Sequence, residues 1–167
     1  AAQINQTLGG KGPFWGNALG RDIAGLGRTK AGYSAAPFPE RRQVECLAKG
    51  SFTCWQLAGA GAVGSQVLMG LPVLSRLRRR FANKLAVWPF EPADQPDKPV
   101  VLAEIWPSLI SDVVRNAERE GGIRDAHQVR LLAAALLSIS PKIMHDMLAV
   151  EPGEEGWILG QGFEKPL

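Results

Sequence analysis

The stretch Val100-Val101-Leu102-Ala103-Glu104-Ile105-Trp106-Pro107-Ser108 constrains the fold of this 167-residue chain more than any other. Strand alternation puts Val100, Leu102, Glu104 and Trp106 on one face and Val101, Ala103 and Ile105 on the other. Both faces are apolar, which predicts a strand covered on both sides, as in an α/β sheet. Pro107 ends the pairing and Ser108 suits the N-cap of a helix beginning there. In open α/β sheets ligands bind at the carboxyl ends of central strands, and Glu104 stands near that end. A buried acid costs roughly several kcal/mol unless it is paired, protonated or metal-bound, so Glu104 is expected to serve a site.

Punctuation and periodicity predict the remaining elements. Residues 1–39 are rich in Gly and Pro and predict an irregular arm without long elements. Phe14, Trp15, Tyr33 and Phe38 are dispersed in it, and a loop with such aromatics lies over a core or a ligand. Lys11, Arg21, Arg28 and Lys30 offer it to an anion, or simply solvate it. A short helix is expected over 39–50, with Val44, Leu47 and Ala48 inward and Arg41 and Glu45 as an i,i+4 surface pair. Another helix is expected after Gly64, split or kinked at Pro72 and ending in Arg78, Arg79 and Arg80. Strands are expected over 85–91 and 100–106. The exposed loop between them holds no helix, which suggests an antiparallel pair or hairpin. Helices are predicted over 109–120 (Val113, Val114 and Ala117 inward), 123–138 and from Pro141 to about 149. Three regions result: the arm 1–39, an α/β core 40–150, and a tail 151–167 whose Trp157, Ile158 and Leu159 dock back.

Composition excludes several classes. Hydrophobic content of 46% and charge of 21% are those of a globular protein, not a disordered one. A net charge of +3 is too weak to argue for nucleic acid alone. No run reaches the 18 or so apolar residues of a membrane span, and no membrane partner is expected. Cys46 and Cys54 read as reduced thiols, and the start has no signal-peptide pattern, so a cytoplasmic protein is expected. The Cys and His residues lack the spacing of a structural zinc site. The chain opens without Met and its first 36 residues read as a continuing loop, which predicts a fragment or processed chain. With part of a sheet missing, an exposed strand edge makes a homodimer plausible.

Two features carry candidate chemistry. Asp125 opens the strongest helix and shares helical spacing with Val129, Leu132 and Leu136, so it is expected to point inward. Together with Glu104 it offers two carboxylates on separate elements, the minimum for a divalent cation held through oxygen; the alternative is two unrelated structural acids, one paired with Arg124 or Arg41. The second feature is Gly59-Ala60-Gly61-Ala62-Val63-Gly64, which spells GxGxxG. It is either a phosphate-binding turn or a small-residue helix start packed closely on its neighbours.

Several pieces are familiar as a set. They are Phe14-Trp15-Gly16, Glu40-Arg41-Arg42 with Glu45, and Trp55-Gln56-Leu57 through Gly64-Ser65-Gln66. Further on come Trp88-Pro89-Phe90-Glu91, Ala103 to Ser108, Arg124-Asp125-Ala126 with Gln128-Val129-Arg130, and Gly156-Trp157-Ile158-Leu159-Gly160. They span nearly the whole chain, which resembles a family of bacterial, mostly alphaproteobacterial, proteins often labelled "molybdopterin guanine dinucleotide synthesis". That family is akin to a wider group of ribonuclease-H-like fold. The resemblance implies a three-layer ribonuclease-H-like α/β fold that lacks its N-terminal strands here. In such enzymes three acids hold two metals for phosphodiester hydrolysis. Glu104 and Asp125 match the second and third, and the first would lie in an N-terminal half upstream of Ala1.

Three functions are therefore expected as alternatives. The first is a metal-dependent phosphodiester hydrolase acting on nucleic acid or nucleotide. In it Glu104 and Asp125 hold Mg²⁺ or Mn²⁺, and Arg41, Arg42, Gln56 and Trp55 contact substrate. The second is a non-catalytic nucleotide- or molybdopterin-binding module built on the glycines at 59–64 and the aromatic arm. The third is an interaction domain whose acids are structural.

Overall fold

A computed structural model describes residues 1–167 apart from Gly10, Lys11, Ala36, Pro152 and Pro166, so the anion role suggested for Lys11 lies outside the described residues. The chain divides into two compact units, Ala1–Arg80 and Phe81–Leu167. The Gly/Pro-rich arm belongs with the first and the C-terminal tail with the second. The fold is of mixed helix and small parallel sheet, α/β in the broad sense.

Among its described residues the first unit carries three helices, α1 (Ala2–Thr7), α2 (Gln43–Leu47) and α3 (Gly64–Arg80). Asn5 organises the arm. Buried on α1, its Nδ2 donates to the carbonyls of Phe14 and Gly25, both at 2.7 Å, and its Oδ1 accepts from Phe14 N at 2.8 Å. One amide thus satisfies three backbone groups that the loops cannot pair among themselves. Gly27 O then accepts from Gly16 N and Asn17 N at 2.9 and 3.0 Å. Pro72 does not split α3, which runs unbroken through it. A proline removes one helical hydrogen bond, and the turns on either side carry this helix across the gap.

The second unit begins with β1 (Leu85–Val87) and β2 (Val100–Leu102), paired parallel with Leu85 opposite Val100. The antiparallel expectation is corrected here. Residues 88–99 just reach the dozen or so that a parallel crossover needs. That loop is pinned by Glu91, whose Oε2 accepts from Val87 N at 3.0 Å and lies 3.8 Å from Lys98 Nζ. Both strands are shorter than expected. Beyond Leu102 the chain makes one isolated parallel bridge, Glu104 to Ile158, with Leu159 N donating to Glu104 O at 2.9 Å.

A 3-10 turn (Pro107–Ile110) leads into α4 (Ser111–Arg119), and then come α5 (Arg124–Ser138) and α6 (Pro141–Leu148). Ile110, Val114 and Leu132 form the buried core between these elements, with Leu131, Leu136 and Leu167 packed against it. Val113, expected inward, is half exposed while its neighbour Val114 is buried. Ile110 and Val114 stand one helical turn apart and meet α5 together; Val113 is a third of a turn away and cannot. Trp88 is buried and its Nε1 donates to Leu148 O at 3.0 Å, tying β1 to the end of α6. No single helix among the described residues is long and apolar enough to cross a membrane; α5 and α6 would pass only together, and they are bent by 110°.

Candidate functional site

The acids singled out in the sequence do not point into the core. Glu104 is exposed at the end of β2, and Asp125 is exposed in the first turn of α5. The expectation of an inward Asp125 fails because α5 is rotated relative to the predicted face. Leu132 is 3% exposed, but Val129, on the predicted inner face, is 68% exposed. The stripe that packs runs through Gln128, Leu131, Leu132, Ala135 and Leu136. Arg124 pairs with Glu118 at 3.4 Å. Among the described residues no three His, Cys, Asp or Glu side chains gather in a group that could hold a metal ion.

The residues expected to meet phosphate are engaged within the first unit. Arg41 Nη1 donates to Glu45 O at 3.2 Å and Nη2 to Ser51 O at 3.1 Å, so it ties the end of α2 to the next loop rather than forming a surface pair. Arg42 is the residue that pairs with Glu45. Trp55 Nε1 donates to Pro39 O at 3.1 Å, and its ring meets Phe14 edge-on at 5.2 Å and Phe38 at 5.7 Å. Gln56 Nε2 donates to Ala58 O at 3.0 Å.

At the glycine run two stretches of backbone pack closely. Gly64 does open a helix, but only an isolated bridge, Trp15 to Gln56, precedes it instead of a strand. Gly64 N donates to Gln56 O at 2.9 Å, so the first amide of this helix is already bonded. A Cβ at Gly64 would lie 2.5 Å from the carbonyl oxygens of both Cys54 and Gln56. Glycine is needed there for close approach of two backbones.

A different site emerges in the aromatic arm. The loops that Asn5 and Gly27 hold together line an open pocket of about 330 Å³, whose walls include Asn5, Phe14, Trp15, Ile23, Leu26 and Tyr33. Trp15 and Tyr33 meet edge to face at 6.3 Å, and Lys30 Nζ stands 6.0 Å from the Tyr33 ring. Trp15 Nε1 and Tyr33 Oη are buried and find no hydrogen-bond partner among the described residues. Buried polar atoms are nearly always partnered, and these two belong to residues that line one cavity. Burial, with the charges of Glu40 and Cys54 nearby, pushes the Tyr33 phenol up to about 12, so it stays protonated and able to donate. Sequence reasoning found the aromatics but not the cavity, because only the Asn5 bonds bring Phe14 and Gly25, twenty residues from Asn5 in the second case, to one place. This chain matches no family model, and neither a curated protein nor a solved structure matches it.

Proposed function

We propose that the first unit is a non-catalytic binding module for a small planar heteroaromatic ligand of nucleobase or pterin type. The observation that carries this is the pair of unpartnered buried groups, Trp15 Nε1 and Tyr33 Oη, on residues that wall the aromatic cavity. An indole N–H can only donate, and a protonated phenol donates readily, so the ligand must present acceptors such as a ring carbonyl and a ring nitrogen. Flat π-faces suit edge-to-face and offset stacking against Trp15, Tyr33 and Phe14. The volume lies at the small end of the range for ligand pockets, enough for a bicyclic ring. The resemblance to the molybdopterin-labelled family points the same way, and a ribonuclease-H-like arrangement of the whole protein belongs to the same proposal. It would place the β1–β2 pair within a larger sheet. Among the described residues Cys46 and Cys54 form no disulfide, which agrees with a cytoplasmic setting. Phosphodiester hydrolysis draws no support from the exposed Glu104 and Asp125.

Isothermal titration of the chain with guanosine and with a simple pterin tests this. Saturable binding is expected, weakened about five-fold by Trp15→Phe, which keeps a ring and loses one hydrogen bond near 1 kcal/mol. Tyr33→Phe is expected to do the same. Absence of saturable binding by both compounds, or binding that neither substitution changes, would overturn the proposal.

A further inference from the structure

The stretch from Gly27 to Tyr33 forms one side of the aromatic pocket. Gly27, Thr29, Ala31, Gly32 and Tyr33 all line it, and residues 28–32 are themselves exposed. Such a stretch is a thin strap, with the pocket on one side and water on the other. Backbone fastens its two ends. Gly27 O accepts from Gly16 N and Asn17 N at 2.9 and 3.0 Å, and Gly12 lies so close to Ser34 O that a Cβ there would overlap it. Between the ends the strap turns, with Tyr33 N donating to Lys30 O at 3.0 Å. From that turn Lys30 Nζ reaches Glu40 Oε1, ten residues on, as an ion pair. Glu40 stands on backbone that is itself held. Its carbonyl accepts from Thr53 Oγ1 at 2.6 Å, and the neighbouring Pro39 O accepts from Trp55 Nε1 at 3.1 Å. The pair thus ties the middle of the strap to the segment that carries Trp55.

We propose that the Lys30–Glu40 pair is a latch that positions the strap around a bound ligand and makes binding sensitive to ionic strength. The inference rests on the reading of this pocket as a heteroaromatic site. Lys30 and Glu40 act through Tyr33, whose ring meets that of Trp15. A strap already held near its bound position loses less freedom on binding, so the latch slows dissociation. The two side chains are 52% and 46% exposed, so counterions screen the pair and salt loosens the strap. Pairs this exposed are weak, which makes the latch adjustable rather than a lock. Arg28 pairs with Asp22 at 2.9 Å and donates to Leu19 O at 3.0 Å, which holds the fastened end and not the middle.

Hydrogen exchange of the full chain without ligand tests the latch, read by mass spectrometry on the peptide that covers the strap. Lys30→Met and Glu40→Gln are each expected to speed its exchange roughly two- to five-fold, the effect of losing one exposed pair. The charge swap, Lys30→Glu with Glu40→Lys, should return it to the parent rate. Titration with guanosine and with a simple pterin at low and high salt then tests the regulation. Both are uncharged near neutral pH, so salt has no ligand charge to screen. The parent is expected to bind about two- to three-fold more weakly at high salt through faster dissociation, and Lys30→Met to lose that response. Equal exchange in the parent and the two single variants would overturn the latch, as would single-variant rates that the charge swap leaves unrestored. A salt response that persists in Lys30→Met would overturn the regulation. Failure of both compounds to bind the parent would overturn the reading of the pocket and the regulation with it, whereas the exchange measurement decides the latch without any ligand.

Discussion

Buried Glu45 and half-buried Arg42 form an ion pair at the start of α2. Glu45 is 2% exposed, its Oε1 accepts from Arg42 Nε at 2.9 Å, and its Oε2 accepts from Arg42 N at 3.0 Å. The carboxylate thus caps its own helix while its charge is neutralised. Arg42→Met is expected to destabilise the chain by about 3 kcal/mol, because it strands a buried charge. Glu45→Gln keeps an acceptor for Arg42 N and is expected to cost about 1 kcal/mol. Urea denaturation of both variants checks the order; equal effects would mean that the ion pair is not what holds α2.

Asn5 should be among the least replaceable residues. Asn5→Ala leaves the carbonyls of Phe14 and Gly25 and the amide of Phe14 without their partner, an expected loss of about 2–3 kcal/mol. Asn5→Asp is nearly isosteric, yet it turns a carboxylate toward two carbonyl oxygens and should be worse. Thermal melts of the two variants provide the comparison.

Tyr33 is the sole tyrosine in the sequence, so ultraviolet titration of the phenolate reads it alone. Half-ionisation is expected near pH 12, two pH units above an ordinary phenol. The folded state holds this proton more tightly than the unfolded state. The corresponding stability is therefore fully present below about pH 10 and is lost as pH rises from 10 to 12. Tyr33→Phe should remove that part of the alkaline dependence. Ionisation near pH 10 in the native protein would show that the phenol is open to water.

Gly64→Ala forces a methyl against the carbonyls of Cys54 and Gln56 at the start of α3. A destabilisation of about 1–3 kcal/mol is expected despite alanine's better helix propensity. Chemical denaturation decides the sign, and a stabilised variant would contradict the close approach.

The rotation of α5 is testable with two substitutions. Leu132→Ala opens the Ile110–Val114 core and should cost about 2–4 kcal/mol. Val129→Ala, at a largely exposed position, should stay within about 0.5 kcal/mol. The reverse ranking in denaturation midpoints would restore the face that includes Asp125.

Much of the helix map was legible because helix signals are local. The 15 residues of α5 coincide with the expected segment save for its first residue. For α6, Pro141 sits in the first turn and Ser140 Oγ accepts from Ile143 N at 3.3 Å, the cap that such a sequence provides. The phase of α5 was harder to read. Val129, Leu132 and Leu136 are as apolar as Leu131 and Ala135, so the sequence offers two overlapping stripes, and the partner helix chooses between them.

Sequence alone thus determined where α5 and α6 start and stop, where α3 begins, the acid-free basic block around it, and the aromatic character of the arm. Each depends on neighbours within a turn or two, or on composition. Only tertiary structure decided that β1 and β2 run parallel, that Glu104 and Asp125 face water, and that Arg42 rather than Arg41 neutralises Glu45. It also decided that Trp15 and Tyr33 wall one cavity. Those outcomes depend on which distant segments meet, and a single buried amide, Asn5, is enough to settle one of them.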